Sequence, residues 1–259
     1  MIEILSHQLP SLNRWFAAGA AGPAALVEHS LATGTGRWWA DRAVQPRVLA
    51  VSCADQVLLR GDPASLVPGS LAAFARSYVE APARFGPALY SAFDRVTPWE
   101  RMVYVHQHRV NMPKVPRGVT VRRLTADDAP ALAALDPQAA WIHATWGSPT
   151  HLAAAGYGWA AFDRDGWMAA VAVTRFRGSA YEDLAVLTHP DRRREHLALA
   201  CVTGLTADVA ARGRTASWCC SRDNRASRLL AWTAGFRLVR EYVHHVTGRP
   251  SARGTRIAA

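Results

Sequence analysis

The sequence predicts an α/β protein, α+β in its arrangement, with a mixed central sheet and a smaller N-terminal α/β domain. Strand-like and helix-like segments alternate along the second half of the chain, which favours helices packed on a mixed sheet. Half of the 259 residues are hydrophobic, enough for an extensive core. The length exceeds the ~100 to 200 residues of a typical domain, so we expect domains at residues 1–116 and 117–248 and a flexible tail at 249–259.

The N-terminal part contains three segments with a clear preference. Residues 45–62, QPRVLAVSCADQVLLRGD, predict two short strands joined by a turn at Ala54 and Asp55. Residues 68–82 repeat apolar side chains at helical spacing behind Ser70, a suitable N-cap, and predict a helix. RMVYVHQHRV, residues 101–110, is again strand-like. Two prolines in the next stretch, NMPKVPRGV, resist both helix and central strand and predict a linker near residue 116.

The C-terminal part has a regular order of elements. The patterns predict, in turn, a strand at VTVRRL, a helix at ADDAPALAAL, a Trp-rich segment at WIHATW, a hairpin of GWAAFDRD and WMAAVAVTRF turning at Asp165 and Gly166, a strand at YEDLAVLT, a helix at LALACVTGLTADVAARG, a strand at TASWCCS, a helix at NRASRLLAWTAGF and a strand at LVREYVHHVTG. No internal repeat is evident in the sequence.

Charge narrows the classes of function. The formal net charge is +10, and almost all of the positive charge is arginine, since Lys114 is the only lysine. Clustered cations bind nucleic acids by releasing counterions, but these arginines are scattered through Ala-rich segments. We therefore favour a solvated basic surface, or a phosphate-rich small ligand, over nucleic acid as a partner.

Neither an export signal nor a membrane span is predicted. The first twenty residues lack a basic start followed by an apolar segment, and nowhere do ~18 apolar residues follow one another. We expect a soluble cytoplasmic protein with no membrane partner. The cysteines have no C-x-x-C spacing, so we expect no metal and four reduced core thiols at Cys53, Cys201, Cys219 and Cys220.

One junction between a predicted strand and a predicted helix is the most informative segment for function. In THPDRRREHLALAC, residues 188–201, three arginines lie between a His-Pro turn and an apolar helix. A helix that begins at the carboxyl end of a strand presents free N–H groups and a positive dipole end, which suit a pyrophosphate. Arginines add charge-assisted hydrogen bonds to phosphate oxygens.

This junction carries a family resemblance. The run from Arg193 to Ala198 after His189-Pro190, together with the Asn224 and Ser227 pair and the helix end at Gly235-Phe236, resembles the GNAT superfamily of acyl-CoA-dependent N-acetyltransferases over residues 119–247. More narrowly, the chain resembles the zwittermicin A resistance-type acetyltransferases.

The resemblance implies a central sheet of GNAT type and acetyl-CoA as the acyl donor. His196 stands where the family's signature has glycine, a residue that lets a phosphate approach the backbone closely. The residues that the resemblance places at the cofactor are Val186, Leu187, Thr188, Arg193, Arg194, Glu195, His196, Leu197, Ala198, Asn224 and Ser227.

Acetyl transfer needs a base, because an amine attacks a thioester only when neutral, and it benefits from an acid for the departing thiolate. By resemblance the strand YEDLAVLT carries the base, with Asp183 as first candidate and Glu182 as second. Alternation places them on opposite faces, so only one can face the substrate; both could instead be solvated charges at a strand start. The tyrosine that many family members use as acid corresponds to Ala231, and the replacements are Tyr242, Ser221 or water.

The segment WIHATW flanks the acceptor pocket by resemblance and supplies Trp141, His143 and Trp146, although aromatic residues at this spacing are more often core residues. We expect a cytoplasmic enzyme of antibiotic resistance or biosynthesis that transfers acetyl directly to an amine of a small molecule. Whether it forms a homodimer is left open. The alternative is a catalytically silent acyl-CoA-binding or regulatory module, which the residues His196 and Ala231 motivate.

Overall fold

The structure, a computed structural model, describes residues 1–4 and 15–251. Residues 252–259 of the predicted tail lie outside the described residues. Residues 249–251 are held against the first half of the chain, since the backbone N–H of Arg249 donates to the carboxylate of Asp94 (2.8 Å) and that of Ser251 to the carbonyl of Ala92 (2.8 Å). These three residues of the predicted tail are therefore anchored.

The first half of the chain forms short strands and two helices. They are β1 (Ile2–Ile4), α1 (Ala25–Thr33), β2 (Arg37–Ala40), β3 (Val48–Cys53), β4 (Gln56–Gly61), β5 (Tyr78–Glu80), α2 (Gly86–Ala92) and β6 (Val96–His106). The predicted strand pair of residues 45–62 is confirmed by the antiparallel pairing of β3 with β4. Its turn holds Ala54 in the left-handed region, at a φ of 52°.

The helix predicted over residues 68–82 is wrong. This segment contains one 3-10 turn at Ala72–Phe74 and then strand β5. The apolar spacing arises because Leu71 and Phe74 are both buried in the core. Tertiary burial of a short connection thus imitates helical periodicity, and the left-handed residue Arg76, at a φ of 56°, separates the turn from the strand.

The second half follows the predicted order closely. Its elements are β7 (Thr120–Arg123), α3 (Ala129–Ala133), α4 (Trp141–Ala144), α5 (Pro149–Ala155), β8 (Gly158–Phe162), β9 (Met168–Arg177), β10 (Tyr181–Thr188), α6 (Leu197–Ala211), β11 (Thr215–Ser221), α7 (Arg225–Thr233) and β12 (Phe236–Thr247). The mixed α/β fold class predicted from the alternation is confirmed.

All twelve strands of the described residues form one sheet, in the order β1-β2-β3-β4-β5-β12-β6-β11-β10-β9-β8-β7. The order is symmetric about its centre, because each strand of the first half has a counterpart six numbers later. β4 pairs with β5 in parallel, as β10 does with β11. The other neighbours pair antiparallel. The chain therefore contains one topology twice, a repeat that the sequence did not reveal.

The two halves exchange their last strands. β6 lies between β11 and β12, and β12 lies between β5 and β6, so each half supplies a strand to the sheet of the other. β6 and β12 pair along their whole length, from Val96 opposite Thr247 to His106 opposite Phe236. The division predicted near residue 116 therefore does not divide the sheet.

The halves differ at the connection between their parallel strands. In the second half this connection contains the fifteen-residue helix α6, whereas in the first half it contains only 3-10 turns, at Pro63–Ser65 and Ala72–Phe74. The carboxylate of Asp208 holds α6 on the sheet by accepting bonds from Arg123 (2.6 and 2.8 Å) and from the indole of Trp159 (2.7 Å). Among the described residues, the connection with a long helix N-terminus at the end of the sheet is therefore the one in the second half.

Candidate active site

A cavity of about 970 Å³ lies where the two halves meet. In the second half its walls come from β10, β11, the start of α6 and α7, and in the first half from the starts of β4 and β5 and from β6. Arg193 and Arg194 lie at one end of the cavity, before α6, and the buried carboxylate of Asp183 lies on β10. The gap between β10 and β11 joins these two regions.

β10 and β11 part inside the cavity. Their parallel pairing runs from Tyr181 opposite Thr215 to Leu184 opposite Trp218 and ends there, although β10 continues to Thr188. On its other edge β10 stays paired with β9 as far as Thr188. Residues 185–188 therefore have no strand neighbour on the β11 side within the described chain, and main-chain polar groups on that edge can bind an extended ligand as an added strand would.

The arginine-rich end of the cavity is built around the N-terminus of α6. Arg193, Arg194, His196, Leu197 and Ala198 line the wall, as do Val186, Leu187 and Thr188 of β10. The first intrahelical bond of α6 is the one that Ala200 donates to the carbonyl of His196 (3.0 Å). The three preceding N–H groups are therefore available to an anion, with the positive end of the helix dipole behind them.

His196 keeps the backbone geometry that a glycine would take at this place. It occupies the left-handed region at a φ of 59°, and Arg194 does so at 67°. Such a conformation costs an ordinary L-residue roughly 1–2 kcal/mol, and strain of this kind concentrates at functional sites. The histidine that replaces the family's glycine therefore keeps the same turn, at the cost of backbone strain.

The charged groups of this loop divide into paired and unpaired ones. Arg192 forms an ion pair with Glu195 (2.9 Å), and Glu195 is not on the cavity wall, unlike the other residues predicted at the cofactor. Arg193 and Arg194 have no carboxylate partner among the described residues, so both charges remain available to a phosphate. Asn224 and Ser227 complete this end of the wall, with the side chain of Asn224 capping α7 by accepting from the Ser227 N–H (3.0 Å).

Asp183 lies on the cavity wall and is 3% exposed. The hydroxyl of Ser217 donates to its carboxylate (2.9 Å). Burial raises the pKa of Asp183, and the bonds from Ser217 and Cys219 with the charges of Arg175 and Arg101 offset this only in part. A carboxylate with a raised pKa accepts a proton more readily, which suits a general base.

Glu182, the second candidate base, is not on the cavity wall and is fully buried. Its carboxylate accepts two bonds from Arg212 (2.9 and 2.7 Å), one from Arg214 (3.1 Å) and one from Thr174 (2.6 Å). Burial raises the pKa of Glu182, but the bonds from Arg212 and Thr174 and the arginine charges outweigh it and lower the pKa overall. Glu182 is therefore a buried ion-pair residue outside the cavity wall.

The predicted replacements for the general acid lie in different places. Ser221 is on the cavity wall, whereas Tyr242 lies behind it on β12, opposite Arg101 of β6. Burial raises the pKa of Tyr242 well above its usual value, so the phenol stays protonated. Ala231, at the position of the family's tyrosine, is fully buried in the core. Of these two side chains, Ser221 is on the cavity wall and Tyr242 is next to the wall residues Cys219 and Arg101.

The adjacent thiols Cys219 and Cys220 line the cavity but are not nucleophiles. Burial raises the pKa of Cys219 well above its usual value, and burial also raises that of Cys220. Since the thiolate is the reactive form, both thiols remain inert near neutral pH. All four cysteines are free, as expected, but only Cys53, Cys201 and Cys220 are core residues, because the Cys219 side chain borders the cavity and is partly exposed.

The aromatic segment before β8 contributes one wall residue. Trp141 lines the cavity with 36% of its surface exposed. Trp146 is a core residue whose indole donates to the carbonyl of Thr174 (2.8 Å). His143 is absent from the wall, and burial lowers its pKa. Two of the three predicted substrate residues are thus outside the cavity.

The comparison with known sequences decides the family. A model of the GNAT acetyltransferase family matches residues 20–245, which span most of both halves. The chain belongs to this family. As a GNAT acetyltransferase it is an acyltransferase, and the match extends well beyond the C-terminal half that carried the resemblance. The chain is also 65% identical over 212 residues to an uncharacterized N-acetyltransferase in the mutA 5′ region of Streptomyces virginiae, covering 82% of this chain and 90% of the relative.

Solved GNAT structures share the whole architecture. A GCN5-related N-acetyltransferase-like protein from Streptococcus suis has a TM-score of 0.74 at 15% identity, covering 94% of this chain and 100% of that one. A tandem GNAT protein from the clavulanic acid biosynthesis pathway has a TM-score of 0.59 at 14% identity, covering 94% of this chain and 96% of that one. At these identities the likeness concerns the fold alone.

The part of the GNAT cavity that the first half builds could not be found from the sequence. Asp55, Gln56, Tyr78, Trp99 and Arg101 all line it. They belong to strands or turns in which no chemical motif is visible, and β6 joins the cavity through pairing with strands more than a hundred residues away. The one usable signal was Arg101, a charged residue at the start of the apolar run RMVYVH.

The described residues contain neither a cluster of metal ligands nor a helix that could span a membrane. They contain no group of three or more His, Cys, Asp or Glu side chains placed to hold a metal ion. No helix among them is long and apolar enough to cross a membrane.

Proposed function

We propose that this GNAT protein transfers an acetyl group from acetyl-CoA directly to an amine of a small molecule in the cytoplasm. The observation that supports it best is the continuous cavity that joins the arginine-rich start of α6 to the buried carboxylate of Asp183 through the gap between β10 and β11.

The donor half of the cavity suits coenzyme A. Arg193 and Arg194 and the free N–H groups at the start of α6 would bind the diphosphate. The main chain of residues 185–188 would bind the pantetheine arm along the open edge of β10. Bound there, acetyl-CoA supplies an activated acyl group. The chain's own contribution is to hold that group in the gap, with the N–H of Leu187 or a neighbour donating to its carbonyl.

The acceptor half of the cavity suits an amine. Asp183 would take up a proton from the ammonium group, because a buried carboxylate with a raised pKa is a competent base. The departing thiolate is a tolerable leaving group, and the hydroxyl of Ser221 lies on the wall to protonate it, alone or through water. A cavity of about 970 Å³ that also admits the donor leaves room for a small-molecule acceptor.

Calorimetry with acetyl-CoA, followed by an assay of amine-dependent thiol release, tests the proposal. We expect acetyl-CoA to bind the wild-type protein and Asp183→Asn equally, with amine-dependent thiol release falling about 10² to 10⁴-fold in the variant. The matched control is Asp136→Asn, which makes the same change at a 3-10 turn outside the cavity, where the side chain accepts from the Gln138 N–H (2.7 Å). Asparagine caps such a turn as well as aspartate does.

Two results would count against the proposal. Binding of acetyl-CoA with no thiol release for any amine would leave a silent acyl-CoA-binding module. If the wild-type protein does not bind acetyl-CoA, the proposed donor site is refuted.

A further inference from the structure

The acceptor end of the cavity contains two arginines without a full set of partners. Arg101 on β6 is 9% exposed, and Arg175 on β9 keeps 18% of its side chain exposed. Both line the cavity, as does Asp183. The Nε–H group of each guanidinium is buried and has no hydrogen-bond partner among the described residues.

The neighbouring carboxylates neutralise these two arginines only in part. Arg175 reaches Asp55, but the contact is long (3.4 Å) and the Asp55 side chain is 41% exposed. Asp183 lies close enough for the charges of both arginines to lower its pKa, but its carboxylate accepts its hydrogen bond from Ser217. Arg101 forms no ion pair with a carboxylate of the described residues, and its guanidinium stacks over the ring of Trp99 at 4.3 Å.

A nearby histidine reflects the same excess of positive charge. His244 is 2% exposed, and its pKa falls to about 3, first because of burial and then because of the charges of Arg101 and Arg175. This imidazole therefore stays neutral and adds no charge of its own. A buried charge without a partner is costly, and a guanidinium fork matches a carboxylate in shape and charge.

We propose that the acceptor amine carries a carboxylate, and that Arg101 and Arg175 bind this carboxylate while the amine faces Asp183. The acceptor is then an amino acid or a small molecule derived from one. This inference rests on the proposed acetyl transfer and adds the class of its substrate. It also assigns a role in substrate binding to the first half of the chain, because β6 places Arg101 in the cavity of the second half.

The test compares the twenty standard amino acids with their carboxamides as acceptors. A site built to bond a charged group rejects an analogue that lacks it by a large factor. We expect kcat/KM for the best amino acid to exceed that of its carboxamide by at least about 100-fold. In Arg101→Met this ratio falls by at least about 10-fold, because one of the two guanidinium groups that bind the carboxylate is lost, and Arg175→Met gives the same result if the first variant does not fold.

Arg60→Met is the matched control. It removes a part-buried arginine that lies outside the cavity, where it pairs with Glu80, and it leaves the ratio at its wild-type value. Equal rates with amino acids and carboxamides in the wild-type protein overturn the proposal, and so does an equal loss for both acceptors in Arg101→Met. An aminophosphonate preferred over the matching amino acid also overturns it, since the site then fits a phosphonate.

A binding measurement separates this inference from the proposed function. With coenzyme A present, amino acids should raise the melting temperature of the wild-type protein and not that of Arg101→Met. A shift without thiol release for any amine supports the carboxylate site and refutes acetyl transfer. Thiol release with amines, but no shift and no preference for carboxylates, refutes the carboxylate site and leaves acetyl transfer standing.

Discussion

Replacing Glu182 with glutamine tests whether this buried carboxylate is structural. The change keeps the size of the side chain and one acceptor oxygen but removes the charge that balances Arg212 and Arg214. These two side chains are only 26% and 21% exposed, so water cannot fully replace the lost anion. Breaking a buried ion pair by removing one partner typically costs about 3–5 kcal/mol. We expect about 3 kcal/mol, because the retained amide oxygen still accepts one bond.

Thermal unfolding gives the measurement. Each kcal/mol lowers the melting temperature by about 2–4 °C in a domain of this size, so Glu182→Gln should melt roughly 6–12 °C below the wild-type protein. The control is Glu3→Gln, which removes the carboxylate of an exposed pair with Arg37 (2.6 Å). Exposed ion pairs contribute little to stability, so the control should have the same melting temperature as the wild-type protein.

The effect of Glu182→Gln should depend on pH. The pKa of Glu182 is lowered in the folded state, despite burial, by the bonds from Arg212 and Thr174. A lowered folded pKa contributes stability above the unfolded pKa and loses it as the pH falls through the folded pKa. The difference between wild type and variant should therefore be full near neutral pH and shrink in acid. An unchanged melting temperature with lost acetyl transfer would refute the structural role and make Glu182 the base.

Three further outcomes follow from the site. Ser217→Ala removes a donor that lowers the pKa of Asp183, so the acid limb of the pH profile of kcat/KM should move to higher pH; a limb that stays in place would remove Asp183 as the base. Arg193→Ala should weaken acetyl-CoA binding about 10- to 100-fold by calorimetry, since bonds to charged groups contribute roughly 1.5–3 kcal/mol; unchanged affinity would contradict the phosphate site. His196→Gly relieves a left-handed backbone and should stabilise the protein by up to ~1 kcal/mol in denaturant unfolding without weakening acetyl-CoA binding. The control is Arg76→Gly, which relieves a left-handed backbone at a φ of 56° outside the cavity and should leave acetyl-CoA binding unchanged. Weaker acetyl-CoA binding in His196→Gly would mean that the imidazole contacts a phosphate.

The donor half of the site could be predicted from sequence because its signals are local. The strand, turn and helix from Tyr181 to Ala211 are contiguous, and their residue pattern specifies both the element types and the cluster of arginines. Alternation along β10 also separated Asp183 from Glu182 correctly. It could not tell which of them faced the cavity, since that depends on Arg212 and Arg214, which come after α6.

The acceptor half could not be predicted, because it depends on strand pairing across the chain. Arg101 lies beside Ser221 and Tyr242 only through the pairing of β6 with β11 and β12. No short pattern records such a pairing, and the two halves of the chain share topology without visible sequence similarity. The same lack of long-range information made residues 68–82 look helical, since their buried apolar residues serve a short connection between β4 and β5.

The exchange of β6 and β12 has a consequence for synthesis on the ribosome. The first half emerges first, but the slot between β5 and β6 is filled by β12, the last strand of the described chain. Until then both strands present an open edge, which is a template for pairing with other chains. Contacts between residues so far apart also slow folding. The strand order therefore leaves each half with an open sheet edge until β12 has been synthesised and pairs with β5 and β6.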